Sequence, residues 1–252
     1  KVLQPQLAPR LITTQVRKLE LLAAVGVTAT IVQPFSADYA RTAPADFEAA
    51  LFDGVGAGTV VVGYDFTYGS RRAGTVQTLT AAAAQRGARV CVVPAVALDG
   101  VVVSSSKVRE YVLDGRVEAA ARLLGRPFDL DGVVVRGAGR GHGLGFPTAN
   151  LDTTNELRTA PGVYAVRARL AGEAVWLGGA ANIGVKPTFG GGEVTIEAHL
   201  FDFAGDLYGK SLRLQFIERL RGEQRFGSVD ELRSQISRDV EGARAAIARV
   251  AG

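Results

Sequence analysis

Residues 136–150 read RGAGRGHGLGFPTAN. Glycines at positions 137, 139, 141, 143 and 145 free the backbone of Cβ atoms, so successive N–H groups can turn toward one point and cradle an anion. Arg136 and Arg140 add positive charge. The string closes on Thr148 and Asn150, a hydroxyl and an amide oxygen two residues apart. On extended backbone both point the same way, and both are hard oxygen donors suited to Mg2+. No Gly-Lys-Ser/Thr ends the string, so it is not a Walker A loop, and its β surroundings exclude a Rossmann fingerprint. An ordinary glycine-rich turn is the plain alternative.

A second candidate lies in the run VTIEAHL, residues 194–200. Strand alternation puts Glu197 on one face with Thr195 and His199, while Val194, Ile196, Ala198 and Leu200 turn the other way. On the residues alone, a carboxylate on the polar face of a strand reads as a solvated surface group.

The elements that must carry these residues change character along the chain. Up to about residue 124, helical stripes (15–25, 44–52, 75–86, 104–113, 117–124) alternate with Val-rich runs (29–32, 59–63, 88–96). That order predicts a doubly wound α/β domain whose parallel sheet is covered on both faces. From Pro127 onward short alternating runs at 128–135, 163–169, 194–200 and 212–216 are separated by glycine-rich turns, which predicts an antiparallel barrel or sandwich. The boundary falls at 124–127, giving domains 1–125 and 126–252. Ser228 and Glu231 make a capping box before a closing helix whose stripe, Leu232, Ile236, Val240, Ala243 and Ile247, should pack on the barrel.

Composition narrows the chemistry. A chain of 252 residues, 47% apolar and 21% charged, can build two cores, and no apolar run reaches the roughly 18 to 20 residues that span a bilayer. A soluble protein with no membrane association is expected. Cys91 is the only cysteine; it lies in an apolar run, so a buried structural thiol and a cytoplasmic setting are expected. Two histidines cannot build a His-rich metal centre, which leaves an Mg-type site. The net charge of +4 and pI near 9.4 suit anionic ligands, yet the arginines are interleaved with Asp and Glu, which favours small phosphate compounds over nucleic acid. Nothing at the start looks like a signal peptide. The chain begins at Lys1 and contains no Met, which reads as a fragment or as methionines left unwritten. Oligomeric state stays open.

RGAGRGHGLGFPTAN resembles the signature of the riboflavin kinase family. VTIEAHLFDF, DLYG at 206–209 and LRGEQRF at 220–226 match in the same order. Upstream, VVVGYDFTYG with RRAGT (60–75) and SSSKVR (104–109) resemble the flavin adenylyltransferase module of bacterial bifunctional FAD synthetases.

The resemblance implies a riboflavin kinase that makes FMN from riboflavin and ATP, joined to an FMN adenylyltransferase that makes FAD, with Mg2+ as cofactor. It implies a Greek-key barrel with a terminal helix for the kinase, and a nucleotidyltransferase-like first domain that lacks its opening βαβ portion, so that the flanks of its sheet are exposed. It implies that Glu197 is the catalytic base, and that Thr148 and Asn150 serve the metal and ATP. By the same resemblance Gly137, Gly139, Arg140 and Gly141 clasp the phosphates, and Arg221, Gln224 and Phe226 hold flavin. In the first module it implies that Ser104, Ser105, Ser106 and Arg109 bind ATP at a helix start, where free N–H groups favour phosphate. There Asp65, Phe66 and Tyr68 would line a flavin pocket, with plain core packing as the alternative for the aromatics.

Three departures stand out. Gly227 follows the phenylalanine where the family often has Asp. Ser106 replaces the usual Thr. The HxGH motif of the family does not occur; residues 1–14 resemble the segment after it, so a longer natural protein is expected, with this chain retaining kinase chemistry but not adenylyl transfer. A monofunctional kinase with a degenerate first domain, and a flavin- or nucleic-acid-binding regulator, are the alternatives.

Overall fold

The computed structural model describes residues 2–137, 145–186 and 193–251. Its first helix, α1 (Gln15–Ala24), is opened by Thr14, whose hydroxyl accepts the Arg17 N–H. The chain divides into two compact units, and α1 belongs with the C-terminal one. One unit comprises residues 2–9 and Val27–Val103; the other comprises Arg10–Gly26 and the chain from Ser104. Compactness therefore draws the division earlier than the change in sequence pattern at 124–127 does.

In the first unit, α2 (Pro44–Ala49) starts on a proline and runs into a wider turn over Ala50–Gly54. Strand β1 (Thr59–Gly63) is followed by the short antiparallel pair β2 (Thr67–Tyr68) and β3 (Gly74–Thr75). Helix α3 (Val76–Ala84) has a reciprocal Thr75–Thr78 cap. Strand β4 (Arg89–Val93) lies parallel to β1, and β5 (Ala97–Leu98) pairs with β6 (Val101–Val102).

One face of the β1–β4 sheet is covered by a core of Phe52, Val62, Tyr68, Leu79, Ala82 and Ala83. The other face is open among the described residues: Val61 is 63% exposed. Cys91, its register partner on β4, is also exposed, which corrects the expectation of a buried thiol. The run 29–32 forms no strand, because no strand among the described residues lies beside it to take its backbone hydrogen bonds.

The second unit is built around a closed six-stranded antiparallel barrel. Its strands are β7 (Phe128–Val135), β8 (Ala149–Asp152), β9 (Gly162–Leu170), β10 (Leu177–Lys186), β11 (Glu193–Leu200) and β12 (Ser211–Arg221), in the order β10-β11-β8-β7-β12-β9. Alternate residues fill it, including Leu130, Val134, Tyr164, Val166, Ile183, Ile196, Leu214 and Phe216, all at or below 2% exposure. Burial of each such side chain stabilises by about 1.5–3 kcal/mol.

Helices α4 (Ser105–Leu113) and α5 (Val117–Leu124) contribute Val108, Tyr111, Val112, Val117 and Ala120 to this same core. Helix α1 has no buried residue and is fastened by charge instead. Arg17 grips the buried Asp129 of β7 through Nε (3.0 Å) and Nη2 (2.6 Å), and Arg126 reaches the same carboxylate at 3.2 Å. Alongside, Arg213 joins Asp131 to Glu20 of α1. Burial alone would raise the Glu20 carboxyl, but hydrogen bonds from Arg17 and Arg213 hold it below its ordinary range.

Helix α6 (Val229–Ala251) closes the chain, with Ala243 and Ala246 fully buried among Ala165, Phe201 and Ile217. Its start has the expected cap in altered form. Ser228 accepts the Glu231 N–H at 3.2 Å, while the Glu231 carboxylate accepts the N–H of Gly227 rather than that of Ser228.

Candidate active site

Strand β11 sits between β10 and β8, and register alone builds the centre of the site. Glu197 lies opposite Asn182 on β10 and opposite Asn150 on β8. Cross-strand neighbours of this kind have Cβ atoms about 4.5–5.5 Å apart. A carboxylate is thus flanked by two carboxamides on the face turned away from the barrel core, since Ile196 and Ala198 fill the interior.

Over this row opens a cavity of about 450 Å3 lined by Thr148, Asn182, Thr195, Glu197 and His199 from the barrel, with Leu232, Ile236 and Val240 of α6 opposite. Its size falls within the range of small-molecule sites. Its lining mixes polar and apolar side chains. The α6 stripe has two duties: its early residues line the cavity, and its later ones pack on the barrel.

Arg221, Gln224 and Phe226 line the same cavity. Arg221 is held by the buried Asp239 of α6 through Nε (3.0 and 3.1 Å) and Nη2 (2.8 Å), and it lies over the Phe226 ring. Gln235 donates to the same carboxylate at 2.8 Å. Two register shifts near the end of β12 precede this arrangement, as bulges do where a strand re-aims its side chains. Asn182, His199 and Asp239 were not among the residues expected from sequence. Alternation of VTIEAHL does place His199 beside Glu197, but Asn182 lies in a strand that sequence did not reveal.

Asn150 and Gly137 line a neighbouring cavity of about 360 Å3 with Arg136, Thr153 and Arg158, and Thr195 borders both cavities. Gly137 makes room there for a side chain, because a Cβ would overlap the Asn150 carboxamide, which would have to shift. The expected contributions of Gly139, Arg140 and Gly141 lie outside the described residues. Among the described residues no group of three or more His, Cys, Asp and Glu could hold a metal. The hydroxyl of Thr148 and the amide oxygen of Asn150 fit a hard divalent cation only as partial ligands, with substrate phosphates and water completing its shell.

The residues expected to serve adenylyl transfer fall in both units. Phe66 and Tyr68 stack at 5.7 Å in the first unit, with Phe47 beside both. Tyr68 is a core residue, and its hydroxyl is taken up by Glu48 (2.5 Å) and Thr78 (3.0 Å). Burial, with the Glu48 carboxylate, raises that phenol above its ordinary range. Asp65 is exposed. In the second unit Ser104 caps α4, accepting the Lys107 N–H, while Ser105 and Ser106 are exposed in its first turn. Arg109 donates to the Arg10 carbonyl at 2.7 Å.

Comparison with known proteins accords with these two halves. The riboflavin kinase family (Flavokinase) matches residues 124–247, and the FAD synthetase family matches residues 1–107. The bifunctional riboflavin kinase/FMN adenylyltransferase of Pseudomonas fluorescens is 38% identical over 243 residues, covering 96% of this chain and 77% of the relative. Its namesake in Escherichia coli K12 is 37% identical over 92% of this chain and 74% of its own length, and that of Bacillus subtilis 168 is 35% identical over 91% and 73%. A solved structure described as a macrolide-efflux protein from Streptococcus pneumoniae superposes with a TM-score of 0.86 at 31% identity, covering 94% of this chain and 79% of that one. With both family matches in the order of the bifunctional relatives, the chain belongs to the bifunctional riboflavin kinase/FMN adenylyltransferase family.

Proposed function

We propose that the barrel unit transfers the γ-phosphoryl group of ATP to the 5′-hydroxyl of riboflavin, giving FMN and ADP. The observation that carries this is the Asn182–Glu197–Asn150 row, which sets a carboxylate between a flavin-sized cavity and the PTAN segment. The isoalloxazine ring lies against α6 and Phe226, and the ribityl chain runs toward Glu197. Glu197 accepts the hydroxyl proton as the ribityl oxygen bonds to the γ-phosphorus and the bond to the β,γ-bridging oxygen breaks. Asn150 and Asn182 keep the carboxylate oriented toward that proton. Such a transfer depends on positioning and charge neutralisation, with no need of a covalent protein nucleophile.

Thr148 and Asn150 would hold a divalent ion such as Mg2+, which supplies charge neutralisation at the phosphates. Gly137 admits the Asn150 carboxamide close to the backbone, and Arg136 adds positive charge at the nucleotide end. Arg221, fixed by Asp239, and Gln224 address the polar edge of the flavin ring.

The match of residues 1–107 to the FAD synthetase family supports a second reaction in the full-length protein, in which FMN and a second ATP give FAD and pyrophosphate. In that reading Ser104, Ser105, Ser106 and Arg109 serve ATP, while Asp65, Phe66 and Tyr68 serve flavin. Because its hydroxyl is already engaged, Tyr68 would act through its ring. The partners are small molecules, and a cytoplasmic setting belongs to the same proposal; among the described residues no helix is long and apolar enough to cross a membrane.

The kinase reading is tested by incubating the protein with riboflavin, ATP and Mg2+ and separating the flavins by chromatography. FMN should accumulate with an equal amount of ADP. Quenching of riboflavin fluorescence without FMN formation would reduce the reading to a flavin-binding module.

A further inference from the structure

The PTAN segment carries two of the residues assigned to the nucleotide and its metal, yet its first half is not part of a strand: β8 begins only at Ala149. Something else must place Thr148. His199 is the group that reaches it. Its Nδ1 lies 2.9 Å from the carbonyl oxygen of Pro147, the residue before Thr148 and 52 positions away in sequence. A carbonyl oxygen only accepts, so Nδ1 is the donor in this contact.

The imidazole is held in that attitude from two sides. Phe146 meets it edge-on at 5.5 Å and 84°, and Phe201 meets it at 5.8 Å and 63°. Both aromatic neighbours flank the contact itself: Phe146 precedes Pro147, and Phe201 follows β11. His199 also shares a strand face with Glu197, two residues away, and lines the same cavity as Thr148.

We infer that His199 is a positioning residue of the kinase site: by donating to the Pro147 carbonyl from the strand that carries Glu197, it fixes Thr148 against the catalytic carboxylate. The base and the nucleotide-side hydroxyl are thereby referenced to one strand. The inference rests on the kinase reading above. It assigns His199 no contact with flavin and no proton transfer in the reaction.

Two substitutions separate this role from packing. His199→Asn retains a donor near the place of Nδ1 on a shorter side chain, whereas His199→Phe retains the ring and its aromatic neighbours but has no donor. Losses at residues that orient ligand-bearing groups are typically on the order of 10- to 100-fold in affinity or activity. His199→Phe should therefore lower kcat and weaken binding of Mg2+·ADP, measured by calorimetry, by about that factor, with riboflavin affinity and melting temperature close to wild type. His199→Asn should recover most of both losses.

If His199→Phe binds Mg2+·ADP and turns over like wild type, the inference is wrong. It is equally wrong if riboflavin affinity falls in parallel, since His199 would then be a flavin contact or a packing residue. Failure of the wild-type protein to form FMN would instead remove the kinase reading on which the inference stands.

Discussion

At the scale of single residues, the site depends on where side chains are absent as much as on where they are present. Gly137 is the clearest case, because the space a Cβ would take is filled by the Asn150 carboxamide. Gly137→Ala should force that carboxamide aside, and steady-state kinetics should show the apparent KM for Mg2+·ATP rising on the order of tenfold or more while riboflavin affinity is retained. An unchanged KM would separate Asn150 from the nucleotide. The face on which Glu197 lies was legible in the sequence, because alternation through VTIEAHL fixes it without any knowledge of the partner strands. Tyr68 was not. An aromatic residue reads the same whether it lines a pocket or fills a core, and only the structure shows its hydroxyl engaged by Glu48 and Thr78.

At the scale of elements, α6 and β10 enclose the cavity that β11 alone could not. Helix α6 was legible through its capping residues and apolar stripe, but the pull of Asp239 on Arg221 was not, since a lone Asp on a helix reads as a solvated charge. Asp239→Ala leaves Arg221 without its carboxylate partner. Loss of one member of a mostly buried pair should cost about 3 kcal/mol, read as a lower urea midpoint, and should weaken riboflavin binding measured by fluorescence quenching. Stability and flavin affinity both unaltered would show that the pair does not hold the pocket. Strand β10 escaped the sequence because Gly178, Gly179, Ala180, Ala181 and Gly184 depress strand propensity. The structure gives the reason for two of them. A side chain at Gly178 would press on Phe201 and on Ile247 of α6, and one at Gly179 would meet the His199 carbonyl oxygen at 2.6 Å.

At the scale of the whole molecule, the barrel is not self-contained at the boundary where the sequence pattern changes. Helices α4 and α5 share its core, and α1 is fastened to it through Arg17 and the buried Asp129. An amphipathic stripe shows that a helix packs but not on what, which is why the allegiance of these three helices was hidden. A fragment starting at residue 124 should therefore expose the barrel surface covered by Val108, Val112 and Val117, and should melt well below the longer chain in a thermal scan. In the intact chain Asp129→Ala should cost about 3–5 kcal/mol by denaturant titration, because Arg17 and Arg126 are left without their shared partner. If the fragment melts with the intact chain, the helices are accessories and not parts of the core. The account as a whole stands on Glu197 taking a proton from riboflavin in the cavity between the barrel and α6. Its most direct test is FMN formation by the full chain carrying Glu197→Gln, measured beside riboflavin affinity. The predicted result is a kcat lower by roughly 10^2- to 10^4-fold with riboflavin still bound, whereas turnover at the wild-type rate would contradict the account.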